Sequence, residues 1–250
     1  MLPETYRRHL NYGVKFHLME CIVLAGGLGT RLRNTIGDYP KCMADVNGKP
    51  FLEYILDYLS TQGCTGIILS LGYKHEVITG WLETKQYPMQ ISHVIENEPL
   101  GTGGGIQLAL KAAGSAHVAV LNGDTMFNID LKKMLAFHEQ KASATTLALK
   151  NMHRFDRYGV VNTNTAGQIT AFEEKQYKEA GYINGGVYII NREAVLSKQL
   201  PEKFSFEKDY LEKYVTEGKF YGFVSDSYFI DIGIPEDYAK AQNDFKSSLT

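Results

Sequence analysis

Residues 24–41 read LAGGLGTRLRNTIGDYPK, and the fold turns on this stretch. The apolar run Cys21, Ile22, Val23 and Leu24 leads into Gly26, Gly27 and Gly29, followed by Arg31, Arg33 and Lys41. A short apolar run bounded by glycine reads as a buried strand. A loop with few side chains exposes backbone N–H groups, and cations beyond it add positive charge, so the arrangement suits an anion, with a phosphate the natural choice. Two familiar phosphate loops do not fit. G-x-G-x-x-G lacks its third glycine here, and Gly29 is followed by Thr30 and Arg31 rather than by Lys and Ser or Thr.

Working outward, strand-like and helical patterns alternate through the first half. PFLEYILDYLSTQG places Phe51, Leu52, Ile55, Leu56 and Leu59 at helical spacing and ends at Gly63. GIILSLG reads as a strand, HEVITGWLE as a short helix, ISHVIE as a strand, GGGIQLALKAA as a helix and HVAVLNGD as a strand. Such alternation predicts a parallel sheet wrapped by helices, with ligands at the carboxyl ends of the strands. The second half differs. ATTLALK, YGVVNT, QITAFEEK and GYINGGVYII are strand-like and joined mainly by turns, which predicts antiparallel additions to the parallel core. Helices are expected again at SFEKDYLEKYVTEG and at PEDYAKAQNDF, the latter opened by Pro235.

The chain has 250 residues, enough for one large domain with a substantial core. With 26 basic and 28 acidic residues and no basic run, a nucleic acid polymer is not an expected partner. No apolar run reaches the roughly 18–20 residues that span a bilayer, so no membrane partner is expected. The three cysteines, Cys21, Cys42 and Cys64, lack metal-ligand spacing, and their odd number points to a reduced, cytoplasmic setting. A strand pattern begins right after Met19, so residues 1–19 read as an extension ahead of a single domain over residues 20–245, with Met19 as the natural start. A homo-oligomer is left open.

Two further segments carry chemistry. In ENEPLGTGGGIQLAL, glycines at a helix start let a ligand approach the backbone, and the helix N-terminus favours an electron-rich group. In VLNGDTMF and YFIDIGIPEDY, Asp124 and Asp231 each follow an apolar strand. A lone aspartate there would read as a cap or a turn residue. FEEK reads by itself as a solvated strand end, and YINGGVYII as a strand with a bulge.

Taken together, AGGLGTRL, the later PK and the VNGKPFLEY turn and helix resemble the signature of the sugar-1-phosphate nucleotidyltransferases, which are also called nucleotide-sugar pyrophosphorylases. The resemblance covers residues 20–245. It implies a Rossmann-like α/β fold of the glycosyltransferase-A-like nucleotidyltransferase type, with a mixed, mainly parallel sheet flanked by helices. Its reactants would be a nucleoside triphosphate and a sugar 1-phosphate, and its products a nucleotide-sugar and pyrophosphate. It assigns the nucleotide to Leu24, Ala25, Gly26, Gly27, Gly29, Thr30, Arg31 and Lys41, with Asn122 and Gly123 beside them. Glu98, Gly101, Thr102 and Gly103 become the candidates for the base and ribose. An ionised carboxylate only accepts hydrogen bonds, and guanine presents adjacent N1–H and N2–H₂ donors, so Glu98 at the base edge favours GTP. Asn34 and Thr35 depart from the proline and threonine that many members carry before the lysine.

The resemblance also pairs Asp124 with Asp231 as ligands of Mg²⁺, whose hard oxygen preference and water shell suit phosphate partners. Neither motif holds His or Cys, which argues against zinc. Lys175 is implied for the sugar phosphate, and Glu174, Asn184, Gly185, Tyr158 and Gly159 for the sugar, although Asp156 and Arg157 break the usual pattern before Tyr158. PKCMADVNGKPFLEYIL and EPLGTGGGIQLAL are most similar to the branch acting on GTP and D-glycero-α-D-manno-heptose 1-phosphate. Mannose guanylyl, muramate uridylyl and glucose thymidylyl branches are near neighbours. The implied chemistry is in-line attack on the α-phosphorus, helped by orientation and charge neutralisation, with Arg31, Lys41, Asp124, Lys175 and Asp231 carrying it. A nucleotide-sugar sensor on the same fold is the rival of another class.

Overall fold

The computed structural model describes residues 19–27, 29 and 32–246. The first half runs β1 (Met19–Leu24), α1 (Arg33–Ile36), β2 (Asp45–Val46), β3 (Lys49–Pro50), α2 (Phe51–Thr61), β4 (Cys64–Leu71), α3 (His75–Leu82), β5 (Gln90–Ile95), α4 (Gly101–Ala112) and β6 (His117–Asn122). The second half continues with β7 (Thr125–Phe127), α5 (Leu131–Gln140), β8 (Thr145–Phe155), β9 (Val161–Thr163), β10 (Ile169–Phe172), β11 (Lys178–Asn191), α6 (Arg192–Leu196), β12 (Phe220–Ser225), β13 (Phe229–Asp231) and α7 (Pro235–Asp244).

Seven strands form the central sheet in the order β12-β8-β11-β6-β1-β4-β5, and only β11 runs against its neighbours. The expected mixed, mainly parallel sheet flanked by helices is therefore present. The apolar runs of β1, β4 and β6 follow from burial on both faces. Cys21 and Val23 pack on one side with Phe51, Leu52, Ile55 and Leu59 of α2, whereas Ile22 packs on the other with Ile106 and Leu110 of α4. That split is the two-residue period of a strand.

The chain leaves β1 for β4 and β5 on one side, then returns to place β6 on the other. Where strand order reverses in this way, a crevice opens at the carboxyl ends of the strands. Leu24 pairs with Ser70 and Asn122, and Leu71 with Ile95, so the four strands end on one rim. The predicted bulge in β11 is real: its register with β8 shifts between Asn184 and Tyr188, and Gly186 takes a φ of 70°.

One element differs in winding. Where the periodicity predicts an ordinary helix from Ser205, Phe206–Glu212 forms a π-helical segment and Val215–Glu217 a 3-10 turn closed by Gly218 at φ 67°. Phe206 and Tyr210 stack at 5.0 Å inside an aromatic cluster with Phe220, and this packing outweighs the local preference. Among the described residues no helix is long and apolar enough to cross a membrane.

Candidate active site

Two adjoining hollows open at the rim. One, about 340 Å³, is lined by Leu24, Gly26, Gly27, Glu96, Pro99, Gly101, Thr102, Gly105, Asn122 and Asp124. The other, about 500 Å³, includes Lys41, Asn122, Asp124, Arg157, Tyr158, Lys175, Asn184, Gly185, Glu207 and Asp231. Asn122 and Asp124 belong to both, so a group bound in one reaches the other at Asp124.

The meeting of the two aspartates has a local cause. The short antiparallel pair β7–β13 sets Asp231 opposite Thr125, next to Asp124, and Ile232 N–H donates to the Asp124 carbonyl at 3.0 Å. Lys41 Nζ sits between them, 2.5 Å from Asp124 Oδ2 and 3.5 Å from Asp231 Oδ1. Burial raises the Asp231 pKa, as does the charge of Asp124, while Lys41 and the Gly233 N–H oppose the rise. Two carboxylates facing one ammonium leave a net negative charge, and their oxygens are of the kind that suits a hard divalent ion. No group of three or more potential metal-ligating His, Cys, Asp or Glu side chains occurs among the described residues.

The glycines are explained mostly by protein packing. A Cβ on Gly29 would stand 3.0 Å from Lys41 Cβ, so the glycine loop lies directly on the lysine. On Gly103 it would lie 2.1 Å from the Phe204 ring, and on Gly104 2.3 Å from the Glu202 carbonyl. Contrary to the expectation of ligand access, Gly103 admits the segment around Phe204, whose carbonyl also accepts from Gly103 N–H at 3.0 Å. Gly101 and Thr102 do line the smaller hollow. Gly159 faces the Glu173 carbonyl, at 2.5 Å from a virtual Cβ. Gly123 N–H donates to the Leu24 carbonyl at 2.8 Å, and Ala25 N–H to that of Ser70 at 2.8 Å, which ties the loop to the rim.

The acidic candidates shift most. Glu98 is exposed, and the glutamate lining the smaller hollow is Glu96. Glu96 prolongs the β5 pairing through its N–H to the Leu71 carbonyl, and its Oε2 accepts from Leu100 N–H at 3.0 Å. The turn between Glu96 and α4 places Glu98 in solvent. Glu174 is likewise exposed, while Glu173 is held below the usual carboxylate range by Lys178 at 2.6 Å and Asn162 at 2.7 Å. Lys175 and Tyr158 line the larger hollow, and burial raises the Tyr158 pKa. Asn184 Nδ2 donates to Tyr188 Oη at 2.8 Å, and Asn184 Oδ1 accepts from Gly186 N–H at 3.1 Å. Thr30 and Arg31 lie outside the described residues, as do residues 1–18 of the expected extension.

Arg157, Tyr188 and Glu207 line the larger hollow although sequence reasoning did not single them out as site residues. Arg157 carries a visible signal, a cation beside Tyr158, but its anchoring on Asp237 at 2.7 Å is tertiary.

A model of the nucleotidyl transferase family matches residues 20–248. The chain is 50% identical over 228 residues to the D-glycero-alpha-D-manno-heptose 1-phosphate guanylyltransferase of Aneurinibacillus thermoaerophilus, covering 91% of this chain and 99% of that protein. It is 47% identical to the enzyme of the same name from Campylobacter jejuni over 220 residues, covering 88% of this chain and 97% of that one. The crystal structure of HddC from Yersinia pseudotuberculosis superposes with a TM-score of 0.83 at 40% identity, over 91% of this chain and 99% of HddC. Its complex with GMP-PN gives a TM-score of 0.82. With the glycine loop, the lysine and both aspartates at one rim and a match along nearly its whole described length, the chain belongs to the nucleotidyl transferase family.

Proposed function

We propose that this protein transfers a guanylyl group from GTP to D-glycero-α-D-manno-heptose 1-phosphate, giving GDP-heptose and pyrophosphate. The observation that carries the chemistry is the convergence of Lys41, Asp124 and Asp231 where the two hollows meet, with Lys175 in the larger one. GTP takes the smaller hollow, its triphosphate held by the glycine loop, Arg31 and Lys41. The sugar 1-phosphate takes the larger one, its phosphate held by Lys175 with Arg157 nearby. A divalent cation at Asp124 and Asp231, Mg²⁺ in this reading, would neutralise charge between the two phosphate groups. The sugar-phosphate oxygen is already ionised at neutral pH and needs no protein nucleophile. Its attack forms the new P–O bond at the α-phosphorus while the bond to pyrophosphate breaks, and Lys41 neutralises the departing charge.

Glu96, beside Gly26 and Gly105, takes the base-edge role in place of the exposed Glu98, and guanine is the base that suits it. The guanine reading is supported by two relatives named for guanylyl transfer and by the GMP-PN complex of HddC. Residues 20–245 act as one domain in this reading, since the sheet unites strands from both halves. Free cysteines and a nucleoside triphosphate substrate support a cytoplasmic setting. The test is pyrophosphate release with Mg²⁺, crossing five nucleoside triphosphates against heptose, mannose and glucose 1-phosphates. Release with GTP and the heptose phosphate is expected. Release confined to UTP or dTTP would overturn the guanine assignment, and silence throughout would favour a sensor.

A further inference from the structure

Glu207 has no role in the reading above, yet it lines the larger hollow. It stands on the π-helical segment Phe206–Glu212, an unusual winding that often marks functional sites. Its carboxylate accepts from Thr102 Oγ1 at 3.1 Å and from Ser205 Oγ at 3.3 Å. The proton of each hydroxyl is directed to it: Thr102 Oγ1 accepts from Phe206 N–H at 2.9 Å, and Ser205 Oγ from Lys208 N–H at 3.3 Å. Tyr188, whose hydroxyl accepts from Asn184, lines the same hollow.

Both hydroxyls donate to Oε2, and an ionised carboxylate offers about four acceptor sites, so about two remain. A negative group in a hollow that receives phosphates is unfavourable unless it meets a donor there. The charged phosphate oxygens are acceptors and repel a carboxylate, whereas sugar hydroxyls can donate to it. Glu174, the carboxylate expected for that task, is exposed, and Glu173 is occupied by Lys178 and Asn162.

We infer that Glu207 is a substrate-binding residue, a carboxylate that accepts a hydrogen bond from a hydroxyl of the sugar 1-phosphate and so contributes to sugar specificity. The inference rests on the proposed use of the larger hollow by a sugar 1-phosphate.

The test couples Glu207→Gln and Glu207→Asp with singly deoxygenated heptose 1-phosphates, compared by kcat/KM. In the wild type, removing the hydroxyl that Glu207 receives lowers kcat/KM by about 10- to 100-fold, the range of a charge-assisted hydrogen bond. In the variants that one deoxy substrate is used as well as the intact sugar, KM for GTP stays within about twofold, and the other deoxy substrates keep their penalties. Three outcomes overturn the assignment: an equal loss on every sugar, which marks a structural anchor; a lost discrimination against 2′- or 3′-deoxy-GTP instead, which marks a ribose contact; or unchanged kinetics. A wild type inactive on every sugar 1-phosphate overturns the reading of the larger hollow, and the assignment with it.

Discussion

Replacing Lys41 by methionine keeps the length of the side chain and removes its charge. The ammonium lies 2.5 Å from Asp124 and 3.5 Å from Asp231, and its side chain is 12% exposed. Removing one partner of a fully buried pair costs about 3–5 kcal/mol. Here the carboxylates are 33% and 29% exposed, so water screens part of that repulsion and the expected loss is about 1–2 kcal/mol. Urea unfolding without metal reads it directly. Mg²⁺ added at about ten times its Kd should restore about 1.4 kcal/mol to K41M, and less to the wild type, where the ammonium competes for the carboxylates. In pyrophosphate release, losing the cation that faces the departing group should lower kcat by about 10²–10³. A kcat within about threefold of wild type, or equal stabilisation of both proteins by Mg²⁺, would refute the reasoning.

Three further outcomes follow from particular contacts. Gly103→Ala drives a Cβ into the Phe204 ring and should cost about 1–3 kcal/mol without any ligand, read by thermal unfolding; an unchanged melting temperature would return Gly103 to a ligand-access role. Glu96→Gln should lower kcat/KM for GTP by about 10- to 100-fold and narrow its lead over UTP, measured in the same assay. Burial, then the neighbouring His117, lowers the His138 pKa to about 3, so the unfolded chain binds that proton first as pH falls. The stability contribution is complete above pH ~6.5 and declines below it at up to about 1.4 kcal/mol per pH unit until His138 itself titrates near 3. Urea midpoints between pH 7 and 5 should fall, and His138→Gln should flatten the slope.

Much of this protein is legible in local sequence because it depends on short-range periodicity. Phe51, Leu52, Ile55, Leu56 and Leu59 are all buried on α2, as their spacing demands, and the bulge in β11 lies at the glycine pair. The glycine loop after β1 and Asp124 after β6 were readable too, since strand ends on a parallel sheet share one rim, whereas Asp231 joins them through the antiparallel pair β7–β13. What sequence alone could not rank were choices made by distant neighbours. Glu96 and Glu98 are the same residue type two positions apart, and only the turn before α4 turns one inward and the other out. Gly103 and Gly104 look like ligand contacts until Phe204 and Glu202, a hundred residues on, occupy the space. Glu207 resembles any solvated helix residue until the π-helical winding and Thr102 bring it to the hollow. Periodicity reports which face is apolar; the partner each polar group meets is decided by contacts across the chain, and these exist only once it has folded.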